Sequence, residues 1–363
     1  MFVAWRELRF ARGRFVLIGA VVALITVLVG FLSGLTGGLA AQNISGVLAL
    51  PGTRLVLQQP DDGSPSFATS ALPSDALAAW EAAPGVTEAT PVGITQSRAS
   101  RAGVDDLTGV ALFGVPTATS ESEPNDVLAL APSRDDEVGL SAGAAAKLDA
   151  RVGDTLSIVG KDYTVASVGA DLWYSHTPVV TMTPTAWSAA SQRTGGTGDP
   201  TVMAVSGTPD WDAVAAATHT HAATPLASLT ALEAFRSEIG SLGLMIALLF
   251  GISALVVGAF FTVWTMQRAS DIAVLKALGA TTASLVRDAL GQALVVLTVG
   301  IGVGLVAVVG FGTLAGRALP FVLSPLTTLA PAAVMAVLGL AGAGFALRTV
   351  THADPLTALG SNR

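Results

Sequence analysis

Glu233, Arg236 and Glu238 stand directly before a long apolar run that carries no charge until Arg268. Charges this close to a membrane segment are expensive and are usually functional. Glu233 and Arg236 are three residues apart and so share a helix face, with Phe235 beside them. One reading is an interfacial ion pair with acids at a helix N-terminus, where the helix dipole favours them. The other is a ligand site, in which the carboxylates and the guanidinium fix polar groups and Phe235 covers an apolar body. Met245, two turns further in, reads as packing. His219-x-His221 would place both imidazoles on one face of a strand and so offer a metal-ligand pair; the alternative is two exposed loop histidines. His176, beside Trp173 and Tyr174, is open in the same way. The cluster Asp135-Asp136-Glu137 reads as a solvated loop before it reads as a metal site. Cysteine is absent from the chain, so disulfides, thiolate chemistry and Cys-based metal sites are excluded.

The elements that must carry these residues are set by composition. Hydrophobic residues make up 51% of the chain and charged residues 12%, against roughly a quarter charged in ordinary soluble domains. Four charge-free stretches account for the difference: Arg14 to Arg54, Glu238 to Arg268, Asp288 to Arg317 and Arg317 to Arg348. Each contains an apolar run longer than the ~20 residues that cross a hydrocarbon core. Each must satisfy its own backbone hydrogen bonds, so each should be a helix. The stretch 213–232 is also uncharged, but its threonines, two histidines and Pro225 disqualify it. The expected layout is a membrane protein of four transmembrane helices, with a mixed α/β extracytoplasmic domain inserted between the first and second. The spans are placed at 15–43, 231–266, 289–316 and 321–347.

Orientation follows from the positive-inside rule. Arg6, Arg9, Arg12, Arg14, Arg268, Lys276, Arg287, Arg348 and Arg363 fall on one side, with Glu7, Asp271, Asp288 and Asp354, giving nine basic against four acidic residues, net +5. The other side holds the remaining ten basic and 22 acidic residues, net −12, which restores the total of −7. Both termini are therefore expected in the cytoplasm, in a multi-pass protein of the plasma membrane. The apolar run of the first helix is longer than a signal-peptide core, although it ends at Leu39-Ala40-Ala41. Lysine supplies only Lys147, Lys161 and Lys276 of the 19 basic residues, a bias that points to a bacterium of high GC content.

Outside the membrane, residues 1–14 read as a cytoplasmic amphipathic helix, with Phe2, Trp5 and Leu8 beside Arg6, Arg9 and Arg12. Residues 44–230 read as the extracytoplasmic domain. Its helices are expected at Ser74 to Ala83, N-capped by Ser74, and at Leu140 to Leu148, entered through Ser141. Strands are expected at Thr155 to Val159, Tyr163 to Val168 and Val179 to Met182. The cytoplasmic loop 267–288 contains a second amphipathic helix, with Ile272, Leu275 and Leu278 on one face, Asp271 and Lys276 off it, and Gly279 as its stop. Thr281 or Thr282 should cap the helix that follows, and 348–363 is the cytoplasmic tail. The glycines Gly30, Gly34, Gly37 and Gly38 permit close helix approach and suggest a seam between two copies.

Several of these segments, in this order, resemble one family. Arg268-x-x-Asp271-Ile-Ala-Val-Leu-Lys-Ala-Leu-Gly279-Ala is similar to the motif that follows the second helix of ABC transporter permeases of the macrolide-exporter and cell-division type, with Asp271 where Glu is usual. His352-Ala-Asp-Pro-Leu-Thr-Ala-Leu359 resembles that family's C-terminal tail. Leu140-Ser-x-x-x-Ala-x-x-Leu148 followed by Val-Gly-Asp154 resembles the core of its extracytoplasmic domain, and Ala4-Trp5-Arg6-Glu7-Leu8 its N-terminal helix. The compact layout is most like the haem-exporter branch. The resemblance implies a homodimeric permease in the lipid bilayer that docks a cytoplasmic ABC ATPase through Arg268, Asp271, Ile272, Leu275, Lys276, Leu278 and Gly279. ATP would act through that partner in a mechanotransmission-like stroke, and a small amphipathic substrate would be exported. It also implies haem as a transported ligand, with a carboxylate or methionine on the iron and Arg236 on a propionate. No catalytic residue, resident metal or cofactor of its own, or nucleic-acid partner is expected. The sequence contains no G-x-x-x-x-G-K-[ST]; its one Gly-Lys pair, Gly160-Lys161, is followed by Asp162. The alternative within the family is a regulator of a cell-wall hydrolase that moves no substrate, and a third reading is a lone sensor without an ATPase.

Overall fold

A computed structural model describes residues 12–104, 106–117, 127–267, 274 and 281–351. The chain forms two compact units, Leu39–Ile239 and the pair of segments Met1–Gly38 with Gly240–Arg363. In chain order the elements are helix α1 (Arg12–Leu48), strand β1 (Arg54–Gln58), α2 (Ser74–Glu81), β2 (Val86–Arg101), β3 (Thr108–Gly114), β4 (Glu137–Ser141), α3 (Ala142–Leu148), β5 (Thr155–Ile158) and β6 (Lys161–Gly169). There follow β7 (Trp173–Tyr174), β8 (Thr177–Met182), α4 (Pro184–Arg193), β9 (Val202–Gly207), α5 (Trp211–Ala217), β10 (Thr220–Ala223), α6 (Pro225–Ser228), α7 (Glu233–Gln267), α8 (Thr282–Ala315) and α9 (Pro325–Thr351). The cytoplasmic helix expected over 1–14 lies outside the described residues as far as residue 11. The coupling residues Arg268, Asp271, Ile272, Leu275, Lys276, Leu278 and Gly279 and the tail from His352 lie wholly outside them.

Among the described residues, four helices are long and apolar enough to cross a membrane, over Phe15–Leu48, Glu233–Gln267, Thr282–Ala315 and Pro325–Phe345. Their limits differ from the expected ones for local reasons. Helix α1 continues past residue 43 because its last turns enter the core of the outer domain, where Val47 is fully buried. Helix α8 starts at Thr282, before the apolar run. The side chain of Thr281 caps it, accepting from the Ser284 amide at 3.3 Å. Helix α9 starts at Pro325 and not 321. There the Ser324 hydroxyl accepts from the Thr327 amide (3.2 Å) and the Thr327 hydroxyl from the Ser324 amide (3.0 Å), a reciprocal cap.

Within the helical unit one apolar cluster joins all four helices, including Phe15, Val22, Val257, Phe261, Leu297, Ile301 and Met335. Phe15 meets Trp264 edge to face at 4.9 Å between ring centroids. The glycine face of α1 is filled by the chain's own residues, which corrects the expected seam between copies. A Cβ on Gly30 would lie 2.7 Å from Val308 Cγ2, and one on Gly37 would lie 2.7 Å from Thr327 Cγ2. One on Gly34 would meet the Phe321 ring, and one on Gly38 the Pro320 carbonyl. Small residues serve close packing here, as membrane interiors require, but the packing is intramolecular.

The outer domain is built on one long strand. The first half of β2 pairs antiparallel with β9, from Val86 to Val92; its second half pairs with β3, from Gly93 to Ala99, and its end with β5. Strands β2-β3-β8-β4-β6-β5 thereby close into a six-stranded ring, in which the β3–β8 and β4–β6 pairs are parallel. Its interior holds Val110, Leu112, Leu140, Leu156, Ile158, Tyr163, Val180 and Met182. The open side of β2 extends through β9 and β1 to the edge strand β10. Short helices cover the sheets and are capped by side chains: Ser141 for α3, Thr183 for α4 and Asp210 for α5. Helix α2 departs from expectation, since Pro73 holds the cap position, Ser74 is already helical and no side chain caps it. Strand β6 begins at Lys161, earlier than expected, because Lys161 pairs with Ile158 across the Val159-Gly160 turn, both residues of which have positive φ.

Candidate functional site

The outer domain is entered by α1 and left by α7, and the first turns of α7 carry the expected site. The structure does not gather all four of them: Glu233 and Arg236 stay together on the first turn, while Phe235 and Glu238 turn to other partners. Glu233 and Arg236 are exposed, and among the described residues they form no ion pair with each other. Glu233 borders a cleft of about 820 Å³ lined by Ser70, Gln96, Tyr174, Thr197 and Asp199 among others. Arg236 borders a smaller cavity of about 160 Å³ with Ser64, His221 and Thr230. Phe235 is turned inward and packs on the domain core, so it does not cover a ligand as expected. Glu238 is engaged elsewhere: its Oε2 lies 3.2 Å from His176 Nε2 and accepts from Asn43 Nδ2 at 3.2 Å.

Three distant stretches of chain meet at this carboxylate. Asn43 lies near the end of α1 and is fully buried. His176 sits at the tip of the β7–β8 hairpin, whose two turn residues, Ser175 and His176, have φ of 45° and 64°. Two consecutive left-handed residues make the mirror-image turn that matches strand twist, yet neither is Gly, so the tip is strained. That strain is held by hydrogen bonds from the Ser175 and His176 amides to the Asn43 and Gln42 carbonyls, at 3.1 and 3.0 Å. Below the tip, the Ser45 hydroxyl accepts from the Trp173 amide at 2.9 Å. Under the same hairpin, Tyr174 packs edge to face against Phe113 and Phe67, at 5.8 and 6.4 Å. Burial pushes its phenol above the ordinary tyrosine value.

The other expected groups are simpler. His219 has φ of 52° and precedes β10, so it does not share a strand face with His221; both are exposed. Among the described residues no group of three metal-ligating side chains forms. Asp135 and Asp136 lie in a salt-bridged loop that runs into Glu137, the first residue of β4. Arg134 reaches Asp136 at 3.2 Å and Glu137 at 2.9 Å, and the Thr183 hydroxyl donates to Asp135.

Residues 16–223 match the MacB-like periplasmic core domain and residues 243–355 the C-terminal part of FtsX-like permeases. The first match alone covers more than half of the chain, which therefore belongs to the MacB/FtsX-like family of ABC transporter permeases. It is a multi-pass membrane protein with an extracytoplasmic domain between its first two spanning helices. Over 365 residues, 99% of both chains, it is 26% identical to a Staphylococcus haemolyticus protein named as the hemin transport system permease HrtB. Over 380 residues, 100% of both chains, it is 23% identical to the Staphylococcus epidermidis protein of that name. Among solved structures it is similar to the periplasmic region of MacB from Actinobacillus actinomycetemcomitans, with TM-score 0.35 and 10% identity over 50% of this chain and 92% of that one. It is also similar to the extracellular domain of the ABC-type transporter YknZ from Gram-positive bacteria, with TM-score 0.30 and 13% identity over 45% and 87%.

Proposed function

We propose that the chain is the permease of an efflux system, works as a homodimer with a separate cytoplasmic ABC ATPase, and exports haem or a chemically similar amphipathic anion. The observation that carries this reading is similarity along the whole chain to permeases named for hemin transport. Identity at this level supports the family more strongly than the cargo, so the cargo has to be argued from chemistry. Haem presents a flat apolar face, an iron atom and two propionates. Glu233 and Arg236, exposed one turn apart at the start of α7, offer an oxygen ligand and a propionate partner next to a long apolar helix. Phe235 and Glu238 are left out of this site, being committed to the core and to His176. The sequence carries no phosphate-binding loop, so ATP hydrolysis belongs to the partner, docked through the loop around Asp271 to Leu278. The charge asymmetry supports an orientation with both termini in the cytoplasm.

The test is a haem titration of the full permease in detergent, read by the Soret band. A saturable, shifted band that weakens in Glu233→Ala and Arg236→Ala supports haem as cargo and this site as its holder. A band unchanged by both variants moves the site elsewhere. No saturable binding at all removes haem and favours the family's other role, control of a cell-wall hydrolase.

A further inference from the structure

We infer that Asn43, His176 and Glu238 form a latch that holds the two helices leading into and out of the outer domain at a fixed spacing. They thereby act as positioning residues for coupling ATP hydrolysis to export. The inference rests on the efflux reading only for its last clause.

The two chain connections of the outer domain are the end of α1 and the start of α7, and the latch joins them. Asn43 is separated by 133 residues from His176 and by 195 from Glu238, yet the three polar atoms lie within 3.5 Å of one another. Asn43 Nδ2 donates to Glu238 Oε2, and the His176 ring nitrogen meets the same oxygen. The hairpin amides close the other side of the joint on the carbonyls of α1. Asn43 Oδ1, by contrast, is buried with no hydrogen-bond partner among the described residues. A buried unpaired oxygen costs stability and calls for a reason. Turning the amide over would give that oxygen a neighbour, but would set it against the Glu238 carboxylate. The side chain is therefore oriented by the carboxylate at the expense of its own oxygen. The hairpin tip repeats the pattern, since two non-glycine residues adopt left-handed conformations to bring His176 to the joint. One unpaired atom and local strain at one point, where three segments converge, mark a joint maintained for geometry and not for stability.

A joint of this kind makes any change in the spacing of α1 and α7 a movement of the β7–β8 hairpin. Strand β8 is itself a member of the closed ring, between β3 and β4, so the movement enters the ring there.

The experiment uses the full permease with its ATPase in nanodiscs and compares wild type, His176→Ala, His176→Gln and Glu238→Ala. Hydrogen exchange of the Ser175 and His176 amides reads the joint directly. Loss of a hydrogen bond to a charged group should speed their exchange by about tenfold or more in both alanine variants. His176→Gln, which keeps a donor at similar reach, should restore protection. Haem-stimulated ATP hydrolysis and export are read in parallel. The latch predicts that His176→Ala keeps hydrolysis but lowers export per ATP, and that His176→Gln recovers it. Unchanged exchange in both alanine variants overturns the latch. Faster exchange with unchanged export per ATP overturns its positioning role. If the wild type neither binds nor exports haem, the haem reading fails and the exchange measurement alone decides the latch.

Discussion

Replacing Gly34 with alanine tests whether the glycine face of α1 packs within the chain or between two chains. A Cβ there would lie 2.7 Å from Phe321 Cε1, with the ring tip closer still. Carbon pairs settle at roughly 3.5–4.0 Å, so the ring must withdraw by about an ångström. Phe321 has little room to do so, because its ring also packs on Phe31 at 4.9 Å between centroids and over Gly312. Overpacking of this kind costs about 1–3 kcal/mol. At Gly38 the obstacle is the Pro320 carbonyl, with the Phe321 nitrogen 2.8 Å away. Backbone cannot turn aside as a ring can, so Gly38→Ala should cost more than Gly34→Ala. Phe321→Leu should relieve the first variant and not the second, with a coupling energy of about 1 kcal/mol in a Gly34/Phe321 double-mutant cycle. Denaturant unfolding of the detergent-solubilised permease gives the energies, and size-exclusion chromatography gives the oligomeric state. If Gly34→Ala leaves unfolding unchanged and dissociates a dimer, the face is an intermolecular seam and the packing argument is refuted.

Other outcomes follow from single contacts. The Trp80 indole donates to the Thr220 hydroxyl at 3.1 Å in the sheet core, so Trp80→Phe should lower stability by about 1 kcal/mol in thermal unfolding, and Trp80→Ala by roughly 3–5 kcal/mol. Ser141→Ala removes the cap of α3 and should cost about 1 kcal/mol in the same assay. Burial raises the Tyr174 phenol above its unfolded value, so folding favours the protonated form. That contribution is complete below about pH 10 and is lost as pH rises further; Tyr174→Phe should flatten the alkaline limb of stability against pH. In the loop proposed to dock an ATPase, Leu275→Glu should abolish copurification of that ATPase, and survival of copurification and export would refute the docking assignment.

The sequence disclosed what depends on long uninterrupted signals. The four helices are runs without charge, and no loop can imitate a run of that length. The cap at Ser141 is legible, and that of α8 narrows to Thr281 or Thr282, because a hydroxyl before a helix has a local cause; the structure selects Thr281. The closed ring was not visible, because β2 carries Pro91 and Gly93 at its middle and reads locally as a break. Those residues fall where the strand passes from β9 to β3, a tertiary event with no local pattern. The same limit applies to the site. Glu238 was recognised as a costly charge, but its partners Asn43 and His176 are distant in sequence, and helix spacing cannot reveal them. Phe235 stands beside charges and so reads as a ligand cover, whereas its face of α7 packs on the domain core. The glycines of α1 announced close packing correctly, but spacing alone does not distinguish Phe321 of the same chain from a helix of a second copy.

The most direct test of the central claim is haem-dependent ATP hydrolysis by the permease purified with the proposed ABC ATPase partner and reconstituted in nanodiscs. An export permease predicts that saturating haem stimulates hydrolysis, that Glu233→Ala shifts the stimulation to higher haem, and that the permease alone hydrolyses nothing. Hydrolysis indifferent to haem in a complex that is otherwise active would contradict haem export.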